Sequence, residues 1–522
     1  MLPSSASAAR VRTGRLAAAV CLPLLLAATA CAPPAPKNTP IDGEAPAQPD
    51  WFTPEPVKLP EAAIETIDDP AALPKDGDAK GGTGKTTGPA PNLLAFVGAQ
   101  GFAAKATGGR GGKVVKVTTL APSGAGSLQA ALDLPGPRIV VFAVSGVIVG
   151  DVILRQGDVT IAGQTAPGGG ITIQGRLRQD PAKRVRNVVM RHLRVRSPYD
   201  GSPGDQFDTV ALPNADLLMI DHCSFAWGVD DVVDLSNATD VTVQWSTIEE
   251  SATTGHPRGM RNHGLMAGKN SKRITLHHDL FAHHGNRAPA MASGPAEMKN
   301  VVVYNTRHAF VHHDPASGPF SIVGNVFIQG PNDQLFPFYL KSDAPTPGPG
   351  LTYWFKDNLI DDPAEITAVV QDPFTQIVHS TFGPRMEAVA PAELIRARAE
   401  PSFASIPGHV AVQLEEPSKA RDLVLAGAGA FPRDVVTRRV IDDTRTRSGS
   451  WGARPAPNLM DGLTAGTAPA DGDGDGMDDA WETSKGLDPR SAADAQRALD
   501  GGWPAIEVYL QSLSDRLVAA GR

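Results

Sequence analysis

The chain runs to 522 residues, with 48 Lys plus Arg against 56 Asp plus Glu and a formal charge of −8 with His neutral. That balance excludes a protein built to track nucleic-acid phosphates. Hydrophobic residues at 41% and charged residues at 20% are globular proportions, whereas 53 Gly and 46 Pro against 6% aromatics point to many turns and few long helices.

Of the three cysteines, Cys21 and Cys31 fall in the first 31 residues, which leaves Cys223 as a lone thiol and excludes an internal disulfide framework. Arg10, Arg12 and Arg15 precede an apolar stretch over residues 16–28 that is too short to span a bilayer and sits where an export signal would. The mature protein is therefore predicted to be exported. Ala28-Thr29-Ala30-Cys31 resembles a bacterial lipobox, so residues 1–31 are read as a lipoprotein-type signal peptide. A lipid on Cys31 would be the only membrane attachment, at the outer membrane or cell surface, and ordinary secretory cleavage is the plainer alternative. Residues 32–91, of which 13 in 60 are proline, read as an extended tether. Within them AKGGTGKTT, from Ala79, matches a loose phosphate-loop pattern, but no apolar strand precedes it and Gly88-Pro89-Ala90-Pro91 forbids the helix that should follow.

From residue 92 to about 329, short apolar runs alternate with Gly, Asn, Asp and Ser clusters. DVTIAG at Asp158, NVVMRHLRV at Asn187, DLLMIDHCSF at Asp216, DVTVQWSTIEE at Asp240, RITLHHDLF at Arg273 and NVVVYNTRH at Asn300 share one texture: a polar residue, alternating Val, Ile or Leu, then a small or His-rich corner. Strand-and-turn repeats of two to three dozen residues, without a helical period between them, predict an all-β solenoid, a right-handed parallel β-helix, whose longer loops project on one face and build a groove. A Greek-key sandwich is the competing fold and accounts less well for the recurring N-V-x-V texture. Between residues 331 and 457 the signal weakens, apart from one predicted helix over residues 391–398.

Three acids stand out. Asp230 and Asp234 share strand parity, and Asp208 lies 22 residues before the first of them, so one coil of separation would stack them. Facing carboxylates repel unless a cation lies between them, and hard oxygen donors favour Ca²⁺. The plainer reading treats such residues, with Asp205 and Asp231, as solvated loop acids. Further on, HHDLFAHHGNRAPAM sets Arg287 after a strand and a Gly-Asn corner, beside His277, His278, His283 and His284. No third ligand of a zinc pattern accompanies these histidines, so they are expected to form ladders between coils.

AFVGAQGFAAKATGGRGGKVVKV from Ala95, IAGQTAPGGGITI from Ile161, IDHCSFAWGVDD from Ile220 and ITLHHDLFAHHGNRAP from Ile274 resemble polysaccharide lyase family 1, the pectate lyases. DLVLAGAGAFPRDVVTRRVI, from Asp422, resembles the closing segment of a bacterial subgroup, so the lyase-like domain is placed at residues 92–457. The resemblance implies a right-handed β-helix that binds polygalacturonate, an acidic plant-type polysaccharide, and cleaves it by calcium-assisted β-elimination. It places the calcium carboxylates on Asp208, Asp230 and Asp234 and the proton-abstracting arginine on Arg287. It also puts a substrate-binding lysine of the family at Asn262, beside Arg261, and two frequent arginines at Ala290 and Ala292. Loss of those cations is expected to weaken substrate binding or change the polymer, with Arg258 or Arg261 as compensating groups.

Near the C-terminus DGDGDGMDDAWE fits D-x-D-x-D-G-x5-E, with Asp471, Asp473 and Asp475 at alternate positions, Gly476 at the turn, then Met477 by its carbonyl, Asp479 and Glu482. It resembles the loops of thrombospondin type 3 repeats and dockerins. A relic of a second loop follows, with Asp500, Gly501 and Glu507 kept but Gln496 and Ala498 at its first ligand positions, and residues 466–513 are read as one small calcium-binding segment. A monomeric, calcium-dependent pectate lyase is the leading expectation. A β-helical glycoside hydrolase using Asp205, Asp208, Asp230 and Asp231, and a non-catalytic carbohydrate-binding solenoid, are the alternatives.

Overall fold

The computed structural model describes residues 92–521, apart from 202–205, 342–347, 376–384 and 388–394. The export signal, Cys31, the Pro-rich tether, Asp205 and the first half of the helix predicted over 391–398 therefore lie outside the described residues.

Three long sheets run side by side along a right-handed parallel β-helix. The first has ten strands, from Lys113–Val117 to Thr352–Lys356; the second has nine, from Val152–Leu154 to Arg385–Glu387; the third has ten, beginning at Gly146–Val149. Pairing is parallel throughout except at the end of the third sheet, where Ile366–Val370 turns back against Asn358–Asp362. Each coil repeats the side-chain direction of the last, so like residues stack: Ile161, Met190, Ile220, Val243, Leu276 and Met298 are successive register partners in the first sheet and all enter the core. Alternate residues face outward, which is the strand period read in the sequence.

The polar residue that opens each repeat has a backbone role. Asp158, Asn187, Asp240 and Arg273 all adopt left-handed φ values, between 50° and 62°, a conformation that Asn and Asp tolerate better than β-branched residues. The corners after four consecutive first-sheet strands are also left-handed, at His192, His222, Trp245 and His278. Their rings stack up the solenoid, with centroids 5.1, 6.1 and 4.3 Å apart. Beside them His284 contacts Ser251 Oγ (2.8 Å) and Ile248 O (3.0 Å), and His283 contacts Asn305 (2.9 Å). These histidines join coils together. Each next residue forms a second ladder at the core: Cys223 is buried there, its N–H donating to Ser246 Oγ, while Ser246 N–H donates to Asp279 Oδ1.

The segment after residue 92, with its Gly-rich motif, is a strap over the outer face of the first sheet. Phe96, Ala103 and Ala106 pack on Val189 and Met219, and the N–H groups of Thr107 and Gly108 donate to Asn187 Oδ1 at 2.8 and 2.9 Å. The region that carries little pattern in sequence divides in two. Residues 336–370 add further coils, whereas the helices Pro417–Gly427 and Val435–Thr446 lie on the outer face of the third sheet, with Val424, Leu425, Val440 and Ile441 against Leu280, Val302 and Tyr304.

The second of these helices is held by a charge network. Asp434, its N-cap, accepts Thr437 N–H at 2.9 Å and pairs with Arg196 at 2.8 Å, and Arg196 also pairs with Glu249 at 2.6 Å, all fully buried. Burial alone would raise the Asp434 carboxyl, but the charge and hydrogen bonds of Arg196 outweigh it and hold it below the usual range. A depressed carboxyl contributes stability above its unfolded value near 4 and loses it as pH falls below that. Asp434→Asn, which strips a buried cation of one of its two carboxylate partners, is expected to cost about 3 kcal/mol at pH 7. The difference from the unsubstituted protein should narrow below about pH 4, read by scanning calorimetry.

Candidate active site

The strand Asp231–Asp234 lies in the second sheet between Val210–Ala211 and His263–Ala267. Val210 pairs with Val233 and Ala211 with Asp234, and two residues earlier Asp208 Oδ1 accepts the Asp231 N–H at 2.9 Å. The coil here is 23 residues long, so Asp208 stacks on Asp231; the 22-residue spacing that would put it on Asp230 is corrected by one. The next coil brings His263 beside Asp231 after an insertion at residues 251–262 that carries Arg258 and Arg261. The coil after that brings Arg287, which follows the strand Leu280–His284 and the Gly285-Asn286 corner.

Arg287 is left-handed, with φ +59°, a strained geometry for a long side chain. Its Nη1 donates to both oxygens of Asp231, at 2.9 and 3.1 Å. His263 Nδ1 lies 3.5 Å from Asp230 and 3.6 Å from Asp231. One donor atom from each of Asp230, Asp231 and His263 falls within 4.8 Å of the others. Asp208 is buried beneath them, and Asp234 accepts the Ser236 N–H at 2.9 Å.

Burial and mutual repulsion dominate the electrostatics. The Asp208 carboxyl is pushed well above its ordinary value by burial and by the charges of Asp231 and Asp234. Asp231 is raised to about 7 by burial and by Asp230, against the pull of Arg287, and burial also raises Asp234. Asp230 differs: His263 and the Arg287 charge outweigh its burial and hold it low. Burial would lower the Arg287 guanidinium, but Asp231 and Asp230 raise it. Crowded hard-oxygen donors that resist ionisation are a donor set that fits a divalent cation such as Ca²⁺.

All three sequence-predicted acids and Arg287 are thus brought into one cluster, and the structure adds Asp231 and His263. Asp231, which the plainer reading leaves as a solvated loop acid, is buried and holds Arg287; the signal for it is its 23-residue offset from Asp208. Asn262, expected at a substrate-binding position, is fully buried and hydrogen-bonded to Ser251 Oγ at 2.5 Å. Its neighbour Arg261 is half-buried and within electrostatic range of Asp230, Asp231 and Arg287, and Arg258 is exposed. Ala290 and Ala292 are buried, Ala290 against Val311 and Tyr339, so this part of the second sheet is apolar where the resemblance led to arginines.

In the C-terminal loop Asp471, Asp473 and Asp475 converge within 4.8 Å, and so do Asp475, Glu482 and Asp494. Asp479 instead accepts the Gly472 N–H at 2.7 Å. The Met477 side chain packs against Ile139 and Val141 of the first sheet. Glu507, from the relic second loop, pairs with Arg110 at 2.8 Å.

No family profile matches the chain. It is 33% identical over 430 residues to the probable pectate lyase C of Aspergillus fumigatus, covering 81% of this chain and 94% of that protein. It is 32% identical over 430 residues to the probable pectate lyase C of Emericella nidulans, covering 81% and 93%. The match to the pectate trisaccharide-lyase of Thermotoga maritima is shorter, 27% over 204 residues, covering 37% of this chain and 51% of that protein. Among solved structures, a pectate lyase from Paenibacillus sp. 0602 aligns at 17% identity over 66% of this chain and 97% of that one, with a TM-score of 0.44.

Because Asp231 binds its proton more tightly folded than unfolded, the cation-free protein should lose stability as pH rises from about 4 to about 7. Urea unfolding in chelator at pH 5 and pH 7.5 checks this, and Asp231→Asn should flatten the dependence.

Proposed function

Because the chain belongs to the pectate lyase family, we propose that it cleaves polygalacturonate or a closely related uronate polymer by calcium-assisted β-elimination on the outer face of the second sheet, with Arg287 taking the proton from carbon 5. The observation that carries this reading is the convergence, from successive coils, of one arginine onto a crowded carboxylate cluster. Asp208, Asp230 and Asp234, with Asp231 between them, would hold the cation. A cation held by these carboxylates would supply Lewis-acid charge to a bound uronate, and so acidify its carbon 5 proton.

The other roles fall to side chains. Asp231 fixes the guanidinium plane of Arg287 through two contacts on one nitrogen, and this pairing keeps Arg287 protonated. To act as base Arg287 must first lose a proton, so the reaction should favour alkaline pH. As the C5–H bond breaks towards Arg287, its electron pair forms the C4–C5 double bond and the C4–O bond breaks, releasing the leaving chain, whose oxygen takes a proton from solvent. Arg261 and Arg258, on the inserted loop, would neutralise uronate carboxylates flanking the scissile bond. The chain's export and a lipid on Cys31 would place this activity at the cell envelope; the arginines before the apolar stretch of residues 16–28 support that reading, and no described helix is long and apolar enough to cross a membrane.

Elimination leaves a conjugated, ultraviolet-absorbing uronate, and hydrolysis does not. With polygalacturonate at alkaline pH, absorbance should rise with calcium and stop with chelator, and Arg287→Ala should lower the rate by about 10² to 10⁴. New reducing ends without absorbance would instead identify a hydrolase, and neither signal on pectins of varied esterification would identify a binding solenoid. Arg261→Ala is expected to raise KM by about ten-fold or more while kcat changes little, since a charge-assisted contact contributes about 1.5 to 3 kcal/mol.

A further inference from the structure

The C-terminal loop departs from its own sequence pattern in one ligand position and in what it is built against. Glu482 is fully buried, and neither carboxylate oxygen has a hydrogen-bond partner. Asp473 Oδ2, Asp475 Oδ2 and Asp494 Oδ1 are likewise buried and unpartnered, and oxygens of Asp475, Glu482 and Asp494 lie within 4.8 Å of one another. Burying a carboxylate with both oxygens unsatisfied is costly unless a cation answers it. Glu482 is aimed into a cluster of acids, so the missing partner is a positive charge.

Asp494 lies outside the twelve-residue loop, on the short 3-10 turn Ala492–Gln496. One of its oxygens accepts the Asp488 N–H at 2.8 Å, which orients the other towards Glu482 and Asp475. Asp479, the loop residue that the pattern nominates, is engaged with Gly472 N–H and is absent from both converging groups. The loop also has no room of its own. A Cβ on Gly476 would come within 2.7 Å of Val114 Cγ1 on the first strand of the solenoid. Met477 and Ala495 are buried with Ile139 and Val141, and Lys116 Nζ lies 2.5 Å from Asp471 Oδ2.

We propose that Asp471, Asp473, Asp475, Glu482 and Asp494 form one calcium site, closed by Asp494 in place of Asp479, whose occupancy clamps the C-terminal segment onto the outer face of the first coils and so sets the stability of the enzyme independently of its chemistry. The cation ties three pieces of chain: the loop after Asp471, the helix Asp479–Ser484 that carries Glu482, and the turn that carries Asp494. Met477 and Ala495, fixed at either side of it, transmit that order to the solenoid. The relic second loop supports the clamp by other means, since Glu507 pairs with Arg110 beside the strap.

The test uses chelator-treated full-length protein in an Asp230→Asn, Asp234→Asn background, so that the catalytic cluster does not contribute, and calcium chloride alone as probe. Calorimetric titration should show one binding step that Asp494→Asn and Glu482→Gln each weaken by at least about ten-fold, as removal of one charged ligand predicts. Asp479→Asn should leave it within about three-fold, and Asp494→Glu should restore part of the loss. Calcium should also raise the unfolding temperature and slow proteolysis within residues 466–521, both responses vanishing in Asp494→Asn. Unchanged calcium affinity in Asp494→Asn would overturn the ligand assignment, and no binding step at all would overturn the site. Calcium binding without change in unfolding temperature or proteolysis would overturn the clamp. None of these readouts uses lyase activity, so failure of the lyase reading would leave them standing.

Discussion

Everything in this molecule depends on residue-for-residue stacking of one coil on the next. Parallel strands repeat their side-chain direction at each turn, so a residue's neighbours are set by coil length. Where the coil is 23 residues, as between Val210 and Val233 or Ser224 and Thr247, apolar residues fall on apolar residues and the core is continuous. The same rule concentrates chemistry, because polar residues one coil apart are also pressed together. Asp208 against Asp231 is that rule applied to two carboxylates.

Repulsion at this stack is what sets the site apart from the rest of the solenoid. A solenoid core would be better served by neutral residues there, and the raised carboxyls of Asp208, Asp231 and Asp234 show the strain of the arrangement. Arg287, delivered by a later coil in a strained backbone geometry, relieves part of it, and the donor set is suited to a divalent cation. The second acidic site, at the C-terminus, follows the same logic with a different purpose. Its acids converge against the outside of the first sheet, and its orphaned Glu482 is aimed at Asp475 and Asp494. One chain thus carries two carboxylate clusters, one on the second sheet beside Arg287 and one against the outside of the first sheet.

The outer surfaces of the first and third sheets are covered by added pieces, and these account for motifs that are long but not catalytic. The Gly-rich strap from Ala95 supplies backbone N–H groups to Asn187, Thr242 and Thr275. The closing segment from Asp422 contributes the helix capped by Asp434, whose pairing with Arg196 spans 238 residues of sequence. Such covers keep the flanks of a long sheet from presenting apolar area to solvent.

Sequence alone determined what is periodic or local. The alternating Val, Ile and Leu runs, the polar openers such as Asn187 and Asp240, the His ladder at the corners, the three acids Asp208, Asp230 and Asp234, and the D-x-D-x-D-G loop are each written within a few residues or at a regular interval, so each was legible, whereas Arg287 was joined to the acids only through the family resemblance. Tertiary structure decided whatever depends on coil length and on which elements meet. One residue of register moved the partner of Asp208 from Asp230 to Asp231, buried Asn262 while leaving Arg261 half-exposed, and brought His263 across a loop. Meeting surfaces set the helices of residues 417–446 on the third sheet and turned Asp494 towards Glu482. In a stacked fold local pattern specifies each strand, but an insertion between strands carries no periodic signal and shifts every neighbour beyond it, so contacts between coils exist only once the coils are wound.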